Sequence, residues 1–313
     1  MSHNVILSLY FGNGDFMSAQ QVFDEIGERN VACWKAMING RVMTSYLMNE
    51  IKNITREYFH QPLTEKNKIK LSTETGYRGY QKIRENITKG IPDIPEAIDC
   101  YREVKHGMYG DLEVVMQGSN KWILFSLSTL FSYAGQVIHQ VSNLSRKIIR
   151  EIALALGGSA DEMEGEIGGD PFWVLRIIGY PAASISNGHD RTQNDVGCGA
   201  HTHYGLLTLI NQDDDIVSLQ VLLCPLSNLF PFIRVLDGYN VTLHWVINNS
   251  PRYCVCVVYF YEPNFDAAIE PLDVCLQKTG GTKNFEGAVY GKHLKIFKKP
   301  KKIFAYTVEH NVL

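Results

Sequence analysis

Two hydrophobic periods divide the chain. In its first half apolar residues recur every three to four positions: Ala19, Val22, Phe23 and Ile26, then Leu47, Ile51, Ile54 and Tyr58, then a long run over 123–156. Each stripe reads as an amphipathic helix that packs by one face. Gln61-Pro62 stops the second, and Gly157-Gly158 closes the third in the manner of a C-cap. Residues 64–71 read as a short charged helix with Thr64 as its N-cap, and Ser159-Ala160-Asp161-Glu162 as a capping box opening another. Between them, residues 73–120 are rich in Gly, Pro and polar groups and read as ordered loop over a sheet. Arg78 and Tyr80 lie there, within reach of a pocket or packed on the surface.

From residue 172 the period changes. Segments 172–180, 204–211, 219–223, 241–248 and 253–262 are apolar, β-branched or aromatic runs bounded by Gly, Pro, Asn and Asp. Helices first and strands afterwards, with no βαβ alternation, predict an α+β protein. Its sheet is an antiparallel sandwich or barrel carrying helices on one side. No glycine-rich phosphate loop and no GxSxG elbow is present.

Candidate chemistry sits in the strand-rich half. His201 and His203, spaced i, i+2, share a face if the backbone is extended. His244 follows forty-one positions after His203, beside another apolar run. Three imidazoles from neighbouring strands make a facial metal site with positions open for substrate or oxygen. Satisfied structural histidines are also common, and spacing alone leaves that alternative open.

Composition adds bounds. The chain has 313 residues, 45% of them apolar, enough for a sizeable core. A net charge of −3 and an isoelectric point near 6.4 argue against a nucleic-acid or membrane-surface protein. Seven scattered cysteines (Cys33, Cys100, Cys198, Cys224, Cys254, Cys256, Cys275) with no CxxC pair read as reduced thiols. No apolar run reaches the length of a membrane span, and no signal pattern opens the chain. A cytoplasmic, monomeric globular protein is expected.

Two resemblances sharpen this. Gly14 to Ile26, with Glu28-Arg29-Asn30-Val31 and Trp34-x-Ala36-Met37-Ile38-x-Gly40, resembles a pentatricopeptide repeat of the plant type. Such repeats read RNA when stacked, and about three are needed for stability. One repeat over residues 4–42 implies an appended helical fragment. The second resemblance covers residues 43–295. Trp173 to Pro181, Asn194 to Leu209, Leu219-Gln220-Val221 and Leu243-His244-x-Val246-Ile247-Asn248-Asn249 are similar to the Fe(II)/2-oxoglutarate-dependent oxygenases, in the isopenicillin N synthase-like branch abundant in plants. The resemblance implies a double-stranded β-helix (jelly roll) with supporting N-terminal helices. It implies Fe(II) held by two His and one carboxylate, 2-oxoglutarate on the metal, a small-molecule substrate, and an Arg-x-Ser pair with a Tyr for the co-substrate's far carboxylate. It divides the chain into the repeat-like fragment (1–42), a helical support region (43–170), the jelly-roll core (171–295) and a basic tail (296–313).

Carried over position by position, His201 is the first metal ligand, His244 the distal one, and Tyr180 the co-substrate tyrosine. Three departures follow. His203 stands where the family has Asp, so the third ligand is neutral. Cys254 and Cys256 stand where the family has Arg and Ser, and a thiol cannot hold a carboxylate bidentately. Arg252 shares strand parity with Cys254 and is the candidate replacement. Between Val221 and His244 the chain is about a dozen residues shorter than the family pattern, which predicts an incomplete sheet. The expected function is therefore an oxygenase oxidising a small metabolite with impaired or lost activity. The alternatives are a non-catalytic metal-binding relic, metal still on His201, His203 and His244, and an RNA-binding repeat protein.

Overall fold

The computed structural model describes residues 45–88, 91–121, 127–182, 197–203, 205–221, 243–278, 280 and 287–297. The repeat-like stretch 4–42, most of the tail and residues 222–242 of the shortened segment lie outside them.

Helix α1 (Ser45–Phe59) buries Leu47, Ile51, Tyr58 and Phe59, the stripe predicted from periodicity. After it, α2 (Leu63–Lys66) is a single turn continued by a 3-10 turn. Thr64 is not its N-cap. Pro62 occupies that position with φ −56° and no side-chain cap, because a ring that fixes φ already suits helix entry.

The stretch 73–120 is more than a covering loop. It contributes β1 (Gly79–Gln81), β2 (Ile87–Thr88), β3 (Ile91–Pro92) and β4 (Glu96–Tyr101). All six residues of β4 are buried, on both faces. Their polarity hid the strand, because Glu96 and Asp99 are paired inside the protein and not exposed.

Helix α3 (Leu127–Ala155) ends as the sequence predicts. Gly157 takes φ +86°, and the amides of Gly157 and Gly158 return to Leu154 and Ala153 at 2.9 and 3.0 Å. The capping-box contacts of Ser159 with Glu162 and Asp161 also form, at 3.3 Å each, but they organise turns and open no helix.

The remaining strands are β5 (Val174–Tyr180), β6 (Cys198–His201), β7 (Leu207–Gln212), β8 (Leu219–Val221), β9 (His244–Val246), β10 (Cys254–Tyr261), β11 (Ala268–Ile269) and β12 (Ala288–Val289). Helices α4 (Asp273–Lys278) and α5 (Tyr290–Phe297) accompany the last two. Helix α5 crosses the expected boundary between core and tail at 295, and its Leu294 is buried in the core. A five-stranded sheet runs β1-β4-β5-β10-β7 and a three-stranded sheet β6-β9-β8, with antiparallel pairing throughout both. This is the expected jelly roll, with two of its strands drawn from the segment read as helical support. Among the described residues no helix is long and apolar enough to cross a membrane.

The register of the large sheet sets what faces inward. Cys254 pairs with Tyr180, Cys256 with Ile178 and Val258 with Arg176 on one side of β10. On its other side Cys256 pairs with Gln212 and Val258 with Ile210. Alternate residues of each strand therefore form rows on one face. That face and the three-stranded sheet enclose a cavity.

Candidate metal centre

The cavity encloses about 770 Å³ when the space open to solvent at its mouth is counted. Arg176, Ile178 and Tyr180 of β5 and Cys256, Val258 and Phe260 of β10 form one wall; Cys198, His201, His244 and Val246 form the facing one.

The structure brings His201, His203 and His244 together. One ligand nitrogen from each lies within 4.8 Å of the others. His201 ends β6 directly opposite His244 of β9 in the register of the small sheet. His203 follows two residues beyond β6 and approaches His244 Nε2 to Nε2 at 3.1 Å. Two ligands at right angles on one ion, with bonds of about 2.1 Å, stand about 3 Å apart. The pair therefore fits a metal.

The outer nitrogens are engaged. His201 Nδ1–H donates to the Gly199 carbonyl at 2.8 Å, which leaves Nε2 as the nitrogen that carries the lone pair. His203 Nδ1 meets Thr208 Oγ1 at 2.9 Å, and its ring packs edge-on against Phe260 at 5.0 Å between centroids. Burial first, and then the neighbouring His201 and His244, hold the His203 imidazole well below its ordinary titration range. A neutral ring is the form that ligates.

The positions that the resemblance assigns to the co-substrate are less well served. Tyr180 lines the cavity as expected, and burial raises its phenol well above the ordinary value, so it stays a neutral hydroxyl. Cys256 lines the cavity too, while Cys254 is buried against Ser218 at 3.9 Å. Burial raises both thiols. Neither offers charge to a carboxylate.

Arg252 does not join the cavity. Asn248 Nδ2 donates to its carbonyl at 3.0 Å and fixes the turn before β10, and the guanidinium points outward to Asp215 at 2.6 Å. Its side chain is 58% exposed. Parity along an extended strand fails here because Arg252 precedes the strand and sits in that turn. Of the two loop residues weighed above, Arg78 is fully buried, its guanidinium donating to the carbonyls of Gly76, Met116 and Arg102 at 3.1, 2.7 and 2.6 Å. Tyr80 is buried as well, donating to Glu96 at 2.6 Å, and neither reaches the cavity.

Asn86, Asp93, Arg176, Gln212 and Ser218 also line the cavity and were not singled out from the sequence. Arg176 carried a signal, since a charge in the middle of Trp173-Val174-Leu175-Arg176-Ile177-Ile178 must face something polar. It is buried and donates to Asp99 and Gln81 at 3.2 and 3.1 Å. Asn86 and Asp93 carried none, as they belong to loops in sequence and meet the cavity only through the fold.

An antiparallel jelly roll with three imidazoles meeting between its sheets has the form of a non-haem metal oxygenase. The family described as "non-haem dioxygenase in morphine synthesis N-terminal" matches residues 18–123, beginning inside the repeat-like stretch. Homoarginine-6-hydroxylase 2-ODD-C23.1 of Arabidopsis thaliana is 51% identical over 274 residues, 82% of each chain. The homoarginine-6-hydroxylase of Glycine max is 47% identical over 291 residues, 87% of this chain and 88% of the relative. Among solved structures, JOX2 in complex with 2OG, Fe and JA superposes with a TM-score of 0.67 at 22% identity, over 85% of this chain and 78% of that one. A full-length Neurospora crassa protein in complex with alpha-KG gives 0.63 at 24%, over 82% and 83%. The chain belongs to the Fe(II)/2-oxoglutarate-dependent oxygenase family.

Proposed function

We propose that this chain binds a divalent transition metal through His201, His203 and His244, keeps a cavity for a small guanidino amino acid, and has lost most of its family's 2-oxoglutarate-coupled oxidation. The observation that carries the reading is the approach of the three imidazoles, with outer nitrogens tied to Gly199 and Thr208. The substrate class rests on the homoarginine-6-hydroxylase relatives and their 51 and 47% identity.

Fe(II) with 2-oxoglutarate, when bound, supplies the oxidising power of the family's hydroxylations. This chain's residues would hold the ion by three neutral nitrogens, where the family pattern has a carboxylate among its ligands. A site held by three neutral imidazoles would keep one more unit of positive charge than one that includes a carboxylate, which would detune the oxygen chemistry the ion supplies. At the far end of the cavity Tyr180 can still donate to a carboxylate. The position that the family gives to its guanidinium is not filled, because Cys254 and Cys256 are neutral and Arg252 points to solvent, while Arg176 on the same wall is paired with Asp99 and Gln81. Leaving a buried carboxylate without its cation costs about 3–5 kcal/mol, about a hundredfold or more in affinity.

The experiment is anaerobic addition of Fe(II) and 2-oxoglutarate, followed by oxygen. The expected result is metal binding with no metal-to-ligand charge-transfer band, and succinate formed about a hundredfold more slowly than by a His203→Asp, Cys254→Arg, Cys256→Ser variant. Succinate at the variant's rate, or absence of metal binding, would overturn the proposal.

A further inference from the structure

Part of the cavity wall is formed by polar residues outside the histidine cluster and outside the positions assigned to the co-substrate. It lies where the β1–β4 connection folds over the sheet edge, around Asn86, Asp93 and Arg176. Asn86 and Asp93 flank the β2–β3 hairpin, and β2 packs on β6, the strand that carries His201. The Asp93 amide donates to the Asn86 carbonyl at 2.8 Å and the Arg84 amide to the Asp93 carbonyl at 3.0 Å, which fixes the hairpin base and sets the two side chains next to each other. Asn86 Nδ2 donates to Asp93 Oδ2. That contact fixes the amide's orientation, since the opposite one would set two acceptors face to face.

Both residues line the cavity and are nearly closed off, at 8% and 2% exposure. Asn86 Oδ1 is buried and has no hydrogen-bond partner. A buried acceptor left unmade costs about 1–3 kcal/mol, so an orphan on a cavity wall is a place where a ligand's donor would be stabilised. Beside it is a carboxylate. Two neighbouring acceptors, one of them anionic, match a planar cation that carries N–H groups along one edge.

We propose that Asn86 and Asp93 form the subsite that receives the guanidinium of an amino-acid substrate, Asp93 through its carboxylate and Asn86 through Oδ1. The assignment rests on the substrate class proposed above and not on turnover. It also gives the hairpin a task, since its contact with β6 holds this subsite at a set place relative to His201.

The test is calorimetric titration of the full chain with homoarginine, with its neutral ureido isostere homocitrulline, and separately with Mn(II). Wild type is expected to bind homoarginine about tenfold or more tighter than homocitrulline. Asp93→Asn should bring the two within about threefold, with Mn(II) affinity unchanged, because the substitution removes charge and keeps shape. Asn86→Ala should weaken homoarginine about tenfold, and it decides the matter if Asp93→Asn does not fold. Unchanged discrimination in Asp93→Asn, unchanged homoarginine affinity in Asn86→Ala, or wild type that takes Mn(II) and no homoarginine, would overturn the subsite. Discrimination without Mn(II) binding would overturn the metal proposal and support this one.

Discussion

His203 is held as firmly as a ligand needs to be. Its Nδ1 meets Thr208 and its ring packs on Phe260, so Nε2 has one direction left. Thr208→Val should therefore lower Mn(II) affinity about tenfold in equilibrium titration, without touching the ion, because it frees the ring. Glu262 gives a second test at this scale. Burial raises its carboxyl from 4.5 to about 8, against a hydrogen bond from Tyr290. The folded state thus keeps a proton that the unfolded chain releases, and this contribution to stability is full below about 4.5 and lost as pH rises to about 8. Glu262→Gln should flatten Tm against pH across that window, measured by thermal unfolding in matched buffers. Among individual residues, the HxH spacing marked two imidazoles that the structure brings close to His244, although only His201 lies on β6. Arg252 was misread because parity holds along a strand and not in the turn before it. Asn86 and Asp93 were illegible, since sequence marks a loop and not what the loop will face.

At the level of elements, amphipathic helices and apolar strands announced themselves by period, and β4 did not. Its Glu96 accepts from Lys66 and Tyr80 at 2.6 Å each and from Tyr253 at 2.9 Å, so a charged residue serves as a buried tie between α2, β1, β4 and the start of β10. A pattern that treats charge as exposure cannot find such a strand. Removing the carboxylate would strand the Lys66 ammonium inside, and Glu96→Ala should cost about 3–5 kcal/mol in denaturant unfolding. Helix α1 is tied in a similar way: Lys52 donates to the Gln212 carbonyl at 3.2 Å, and Arg56 pairs with Asp213, which also accepts the Val255 amide at 2.9 Å. The helix thus holds the ends of β7 and β10 together at one edge of the cavity.

For the whole molecule, the order of periods, helices and then antiparallel strands, was enough to predict the architecture, and the quoted strings were enough to predict the family. What could not be read was which surfaces the two sheets would turn toward each other, because that depends on register, set by pairings such as Cys256 with Ile178 and Gln212. The same register has a practical consequence. Of the described cysteines, Cys100, Cys254, Cys256 and Cys275 are buried, and Cys198 alone is half-exposed, on the cavity wall with its sulfur 3.6 Å from His201 Nδ1. A small alkylating reagent followed by peptide mapping should modify Cys198 ahead of those four, and saturating Mn(II) or homoarginine should slow it. The chain thus carries a chemical footprinting probe on the wall of the cavity proposed to bind metal and substrate, one that would register occupancy whether or not anything is turned over there.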